Sequence, residues 1–290
     1  MSSQMKFAVS SYSFSQAMRD GRMNLLDVIP KAKELGYEGV EIVRGNQSDA
    51  EMRALAEVLK VQSQEAGLPI IAYMVGADFL KNGLDSEVER LKKEVEIAAL
   101  MGAPRMRHDS SQGVDAQGNP VSVEDALPIL AQGYRRVTEF AAGLGVKTMI
   151  ENHGYFMQDS DRVKKLIEAV NHKNFGWLTD MGNFLCADED PVHAMQTGAK
   201  MAVHAHAKDF HYKKQGEFLP KQGWFGTRGG NHLRGAIIGH GVVDVPACLR
   251  LLKEAGYDGW LSVEFEGMED CIMALKADLE NLKAMEAEIK

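Results

Sequence analysis

The chain has 290 residues, with 33 Lys and Arg against 41 Asp and Glu, a formal net charge of −8, and 45% hydrophobic side chains. That balance describes an ordinary globular protein, with no Lys/Arg-rich run to attract nucleic acid and no apolar run near the roughly 18 residues of a membrane span. Three cysteines, Cys186, Cys248 and Cys271, form no C-x-x-C pair, which speaks against a disulfide framework or a thiolate zinc site. The N-terminal Met-Ser-Ser-Gln-Met-Lys runs into a hydroxyl-rich segment without the apolar core of a leader, so the expected compartment is cytoplasmic.

One phrase recurs along the chain: a helical stretch closed by glycine, a few turn residues, then a short apolar strand. A strand over about residues 7–12 opens the series. A helix over Leu25–Leu35 then closes at Gly36 before Gly-Val-Glu-Ile-Val. Asp49–Ala66 closes at Gly67 before Ile-Ile-Ala-Tyr-Met-Val, Ser86–Leu100 leads to Gly102 and Arg-Met-Arg, and Val123–Ala142 leads to Gly145 and Lys-Thr-Met-Ile-Glu. Asn171 introduces the strand near Phe175–Asp180, Gly198 precedes Met-Ala-Val-His-Ala-His, and Val245–Glu254 ends at Gly256 before Trp-Leu-Ser-Val-Glu. Glycine just past a helix supplies the left-handed conformation its cap needs. Eight strands, near 7, 39, 70, 104, 146, 175, 202 and 259, thus alternate with helices, the pattern of a parallel sheet. Eight such units in about 250 residues fit a single-domain (β/α)8 TIM barrel over residues 1–290 better than an open sheet.

One interval is too long for the pattern. Phe210 to Asp244, about 35 residues after the seventh strand, is rich in glycine, aromatic and basic side chains. It is expected to be a long loop covering substrate at the C-terminal face of the barrel, where such enzymes build their sites.

Four late strands end in an acid or a histidine: Glu151, Asp180, His206 and Glu264. Taken singly, a carboxylate at a strand end is an ordinary helix cap or surface charge, and His204 reads as a satisfied core histidine or one that supports the metal ligands from behind. If the four point inward, three carboxylates and an imidazole meet at one mouth, and their desolvation and repulsion call for a cation. One divalent metal ion resolves that cost, and a carboxylate-rich set with one imidazole suits Mn²⁺, Mg²⁺, Co²⁺ or Zn²⁺. Tyr12, Phe14, His108 and Trp224 are candidates to line a sugar pocket, aromatic faces suiting the apolar faces of sugars.

Leu-Gly-Tyr-Glu-Gly-Val-Glu41, Ile-Glu151-Asn-His-Gly, Asp180-Met-Gly-Asn183, His206-Ala-Lys208-Asp209, Gly239-His-Gly-Val-Val-Asp244 and Gly-Tyr-Asp-Gly-Trp-Leu-Ser-Val-Glu264 together resemble the xylose-isomerase-like TIM-barrel superfamily over nearly the whole chain. That superfamily includes sugar phosphate isomerases and epimerases and inosose dehydratases. The resemblance implies that Glu151, Asp180, His206 and Glu264 bind the metal, that Glu151 and Glu264 double as the acid/base pair, and that Lys208 and His153 contact substrate. The chain departs from several ketose 3-epimerases at two points. Asn183, placed among the substrate-binding candidates, stands where they have histidine, and Tyr212 stands where they have arginine.

The function expected first is a metal-dependent sugar isomerase or epimerase working through an enediolate. Its partner is a small carbohydrate, with no nucleic acid and no membrane, and a homo-oligomer (dimer or tetramer) is left open. The alternative is a metal-dependent lyase or dehydratase on a keto-sugar or inosose, reached when the same enediolate expels a β-hydroxyl. An apurinic-endonuclease-like phosphodiesterase needs many more histidine ligands than nine histidines and an acidic balance suggest. A non-catalytic sugar-binding barrel is the remaining reading.

Overall fold

The computed structural model describes residues 5–289. Met1–Gln4, the start of the segment read as lacking a leader, lies outside the described residues. Eight parallel strands close into a barrel: β1 (Lys6–Ser10), β2 (Gly39–Val43), β3 (Ile70–Val75), β4 (Arg105–His108), β5 (Lys147–Glu151), β6 (Phe175–Asp180), β7 (Ala202–Ala207) and, last, Trp260–Val263. Each falls where the sequence phrase places one. Three further strands, β8 (Asp209–Lys213), β9 (Phe225–Gly226) and β10 (His232–Ala236), precede that last barrel strand, β11. The barrel order is β1-β11-β7-β6-β5-β4-β3-β2. Packing divides the chain into two compact units, one running up to Glu41 and resuming at Thr179, the other Ile42–Leu178.

In the Ile42–Leu178 unit, β3 is buried along its whole length, as a strand covered on both faces should be. Its neighbouring helix, Asp49–Ala66, starts at a capping box in which Ser48 and Glu51 satisfy each other's backbone N–H. That helix stops at Gly67, whose φ of 64° is the left-handed conformation a side chain would oppose. Asn171 does the same service before β6 with a φ of 43°.

In the other unit the expected helix-ending glycine at 198 is corrected. The helix Pro191–Met201 runs through Gly198. A Cβ there would lie 2.8 Å from the Thr179 methyl, so the glycine serves close packing, not a cap.

The interval expected as a loop carries structure of its own: β8, β10 and β9 form a three-stranded antiparallel sheet. Phe210, Leu233 and Cys186 make its buried core, with Leu185, Tyr212 and Phe225 packed against them. Glycines and basic residues between those apolar positions hide the short strands from a reading by apolar runs. Tyr212 is part of this packing.

The final helix, Cys271–Glu288, buries Asp278. One oxygen accepts from the Ile238 N–H at 2.7 Å, while the other has no hydrogen-bond partner among the described residues. Burial pushes this carboxyl up to about 7. An acid raised on folding contributes stability that is present at low pH and lost as pH rises through its folded pKa. Asp278→Asn is therefore expected to stabilise the protein more at pH 8 than at pH 5, by roughly 1–3 kcal/mol. Thermal unfolding at the two pH values checks it, and equal shifts at both would contradict the assignment.

Candidate metal centre

The unit that resumes at Thr179 builds most of the centre at the ends of its strands. β6 finishes at Asp180, whose Oδ1 accepts from the N–H groups of Gly182 (2.8 Å) and Asn183 (2.9 Å). That turn aims Oδ2 at His206 Nδ1 (3.6 Å) and Lys208 Nζ (3.5 Å). Gly182 is needed here, because a Cβ would sit 2.9 Å from the Lys208 carbonyl oxygen. β7 alternates, so His204 and His206 share a face and both are fully buried. Glu264 follows β11, with Oε2 at 3.8 Å from His206 Nδ1 and 2.5 Å from Lys208 Nζ. Asn183 Oδ1 accepts from the same ammonium at 3.3 Å.

Asp180, His206 and Glu264 each offer a ligand atom, and these atoms lie within 4.8 Å of one another. Two carboxylates and an imidazole form a hard, oxygen-rich set that suits a divalent ion. The Lys208 ammonium, set against both carboxylates, shows that the cradle takes positive charge. The residues therefore fit the metal that the sequence calls for.

Beneath them lies a group the sequence reading missed. Glu41, in the middle of β2, is fully buried. Its Oε2 lies 3.0 Å from His206 Nε2, and its Oε1 is hydrogen-bonded to His204 Nε2. Burial by itself pushes a carboxyl up, but the two imidazoles outweigh it and hold Glu41 well below the usual carboxylate range. The available signal was an acid inside an apolar strand, together with two histidines spaced to share a face. His204 is a buried histidine as expected, and its partner is Glu41.

Asp209, adjacent to Lys208, explains the Gly-His-Gly-Val-Val motif. Its carboxylate accepts from the backbone N–H groups of Phe210, Gly239, Gly241 and Val243 at 2.8–3.0 Å. A Cβ on Gly241 would fall 2.2 Å from Asp209 Oδ1. This nest fixes the chain that follows Lys208.

The Ile42–Leu178 unit carries the other candidates. Glu151 ends β5, and Arg107 of β4 binds its Oε2 through Nε (2.6 Å) and Nη2 (2.5 Å). The same guanidinium reaches Asp109 Oδ1 at 3.2 Å. His153 Nδ1 lies 2.9 Å from that oxygen. Burial works against a charge on this imidazole, yet the Asp109 carboxylate prevails and raises its pKa. Arg107 was not singled out from sequence, because its partner is 44 residues away on another strand. His108 is fully buried and stacked on Tyr134, with centroids 4.2 Å apart. Burial lowers its pKa to about 4, which keeps the ring neutral near pH 7. Its Nε2 has no hydrogen-bond partner among the described residues.

Of the aromatic candidates, Tyr12 joins the carboxylate group: its hydroxyl donates to Glu266 Oε2 at 2.9 Å, and Lys208 Nζ lies 5.9 Å from its ring centre. Phe14 is buried core. Trp224 instead lines an open cavity of about 700 Å³ beside the β8-β10-β9 sheet. There Lys213 and Arg234 each lie 5.8 Å from its ring centre. No helix among the described residues is long and apolar enough to cross a membrane.

An inosose dehydratase of Geobacillus thermodenitrificans is 24% identical over 258 residues, covering 85% of this chain and 83% of that protein. Among solved structures, an IolI protein with a bound zinc atom has a TM-score of 0.79 at 16% identity, covering 99% of both chains. A D-allulose 3-epimerase from Methylomonas sp. has a TM-score of 0.70 at 15% identity, covering 97% of this chain and 98% of that one. These two structures share the fold. The sequence matches the xylose isomerase-like TIM barrel model over residues 29–288, and with the closed barrel and the clustered ligand donors this shows that the chain belongs to the xylose isomerase-like TIM barrel family.

Proposed function

We propose that the protein is a divalent-metal-dependent dehydratase of a small keto-polyol, of which an inosose is the first candidate. The observation that carries this reading is the group of buried Asp180, buried His206 and half-buried Glu264, with the Lys208 ammonium held against both carboxylates. The inosose dehydratase relative favours loss of water over the isomerase or epimerase chemistry expected first from sequence. Asn183 and Tyr212, which replace the histidine and arginine of several ketose 3-epimerases, lean the same way, since Asn183 orients Lys208 and Tyr212 is packed among Phe210, Leu233 and Cys186.

Glu151 completes the ligand set. It pairs in register with Leu178, two residues before Asp180 on the same strand β6. A bound divalent ion would polarise the substrate carbonyl and make the neighbouring C–H more acidic. Glu151 and Glu264 then divide the proton work. One carboxylate removes the proton next to the carbonyl and the other gives a proton to the β-hydroxyl. The C–H and C–O bonds break, a C=C bond forms and water leaves. Lys208 faces the negative charge that develops on the carbonyl oxygen. Its salt bridge to Glu264 leaves the ammonium close to the reacting group. His153, His108, Asn183 and Tyr12 contact the substrate's hydroxyls.

The test is incubation of the zinc- or manganese-loaded protein with an inosose, followed by mass spectrometry with and without chelator. The expected product is lighter by one water and forms only without chelator. A product of unchanged mass with an inverted or migrated hydroxyl would establish the isomerase or epimerase reading instead.

A further inference from the structure

We infer that Glu41 is a positioning residue for the metal centre, holding the His206 ring by its Nε2–H so that Nδ1 is the atom offered to the metal. The inference rests on the metal-binding reading proposed above. Glu41 sits inside β2, paired with Ser10 of β1 and fully buried.

The geometry of the imidazole carries the argument. Its two nitrogens point in divergent directions, and each is committed to a different set of acids. Nε2 lies 3.0 Å and 3.3 Å from the two oxygens of Glu41. Nδ1 faces Asp180 Oδ2 at 3.6 Å and Glu264 Oε2 at 3.8 Å. A carboxylate is an acceptor only, so the hydrogen bond at Nε2 requires the proton there, which leaves the Nδ1 lone pair for a cation. An outer carboxylate that fixes the tautomer and orientation of a ligating histidine also raises its basicity.

Glu41 is doubly engaged. His204, on the same face of β7, donates from its own Nε2 to Glu41 Oε1, and Ser262 Oγ lies 3.4 Å from that nitrogen. Both carboxylate oxygens thus face imidazole donors in a fully buried place, so the carboxylate cannot turn away without leaving a buried donor unpaired. The three groups Glu41, His204 and His206 also lie close enough together to suggest a second metal site. Glu41 is instead at hydrogen-bond length from both imidazoles, whose ring centres lie 5.7 Å apart, so one acceptor holds two donors.

The experiment has two arms. In the first, zinc affinity of the wild-type protein and of Glu41→Gln is measured by competition with a chromophoric chelator, with thermal unfolding of both metal-free proteins as the control for folding. Glutamine keeps the size of the side chain but offers one acceptor and one donor to two imidazole N–H groups. The expected result is affinity about 10- to 100-fold weaker in Glu41→Gln. Equal affinity would overturn the inference while leaving the metal reading intact, and failure of the wild type to bind zinc would overturn both. The second arm needs no variant: long-range ¹H–¹⁵N correlation NMR of the zinc-loaded wild type is expected to show His206 protonated at Nε2 and bare at Nδ1. The opposite tautomer would overturn the inference even if Glu41→Gln proved unstable.

Discussion

Glu151→Gln is expected to lower turnover by at least about 10³-fold while leaving the fold intact. The side chain keeps its length and can still accept from Arg107 through its amide oxygen, so the packing at the end of β5 survives. It loses the capacity to take or return a proton. Glu264→Gln is expected to fall by a similar factor, since the remaining carboxylate performs half of a two-proton sequence. The double variant should be little worse than the weaker single, because groups that act as a unit do not add. Steady-state kinetics on the substrate identified by mass spectrometry measure all three, and near-normal turnover in Glu151→Gln would sink its assignment.

The second large effect belongs to Asp180. Its two oxygens do separate jobs: Oδ1 closes the turn through Gly182 and Asn183, and Oδ2 faces His206 and Lys208. Asp180→Asn preserves an acceptor for the turn and removes the negative charge from the cradle. Zinc affinity is therefore expected to drop by about 100-fold or more, with the melting temperature of the metal-free protein nearly unchanged. Activity should recover in part when metal is supplied in excess. Metal content after dialysis, set beside thermal unfolding, decides the matter. A full complement of tightly held metal in Asp180→Asn would remove Asp180 from the ligand set.

The barrel was legible because its signals are local. Apolar runs the length of a strand, and glycines such as Gly36, Gly67, Gly102 and Gly256 in the left-handed conformation, need no knowledge of distant residues. Gly198 was misread for the same reason: its role is contact with Thr179, which only the packed structure supplies. Asp180, His206 and Glu264 stand out in the sequence as polar residues near the ends of apolar strands, and the structure brings one ligand atom of each within 4.8 Å of the others. Arg107 and Glu41 do not stand out. Each sits within a strand and is defined by partners on other strands: Glu151 for Arg107, and His204 and His206 for Glu41. The small sheet after β7 escaped because β9 has two residues and β10 carries His232, Arg234 and Gly235, a composition that resembles a loop.

The central claim is that this site makes a carbon acid next to a carbonyl lose its proton with the help of a divalent metal. Incubating the metal-loaded protein with an inosose in heavy water and following it by proton NMR tests that claim most directly. Deuterium is expected to enter the carbon next to the carbonyl, or the signal of that proton to vanish as water is lost, and chelator is expected to stop both. Conversion that proceeds unchanged in the presence of chelator, or a bound metal with neither exchange nor conversion of any keto-polyol, ketose or aldose offered, would contradict it.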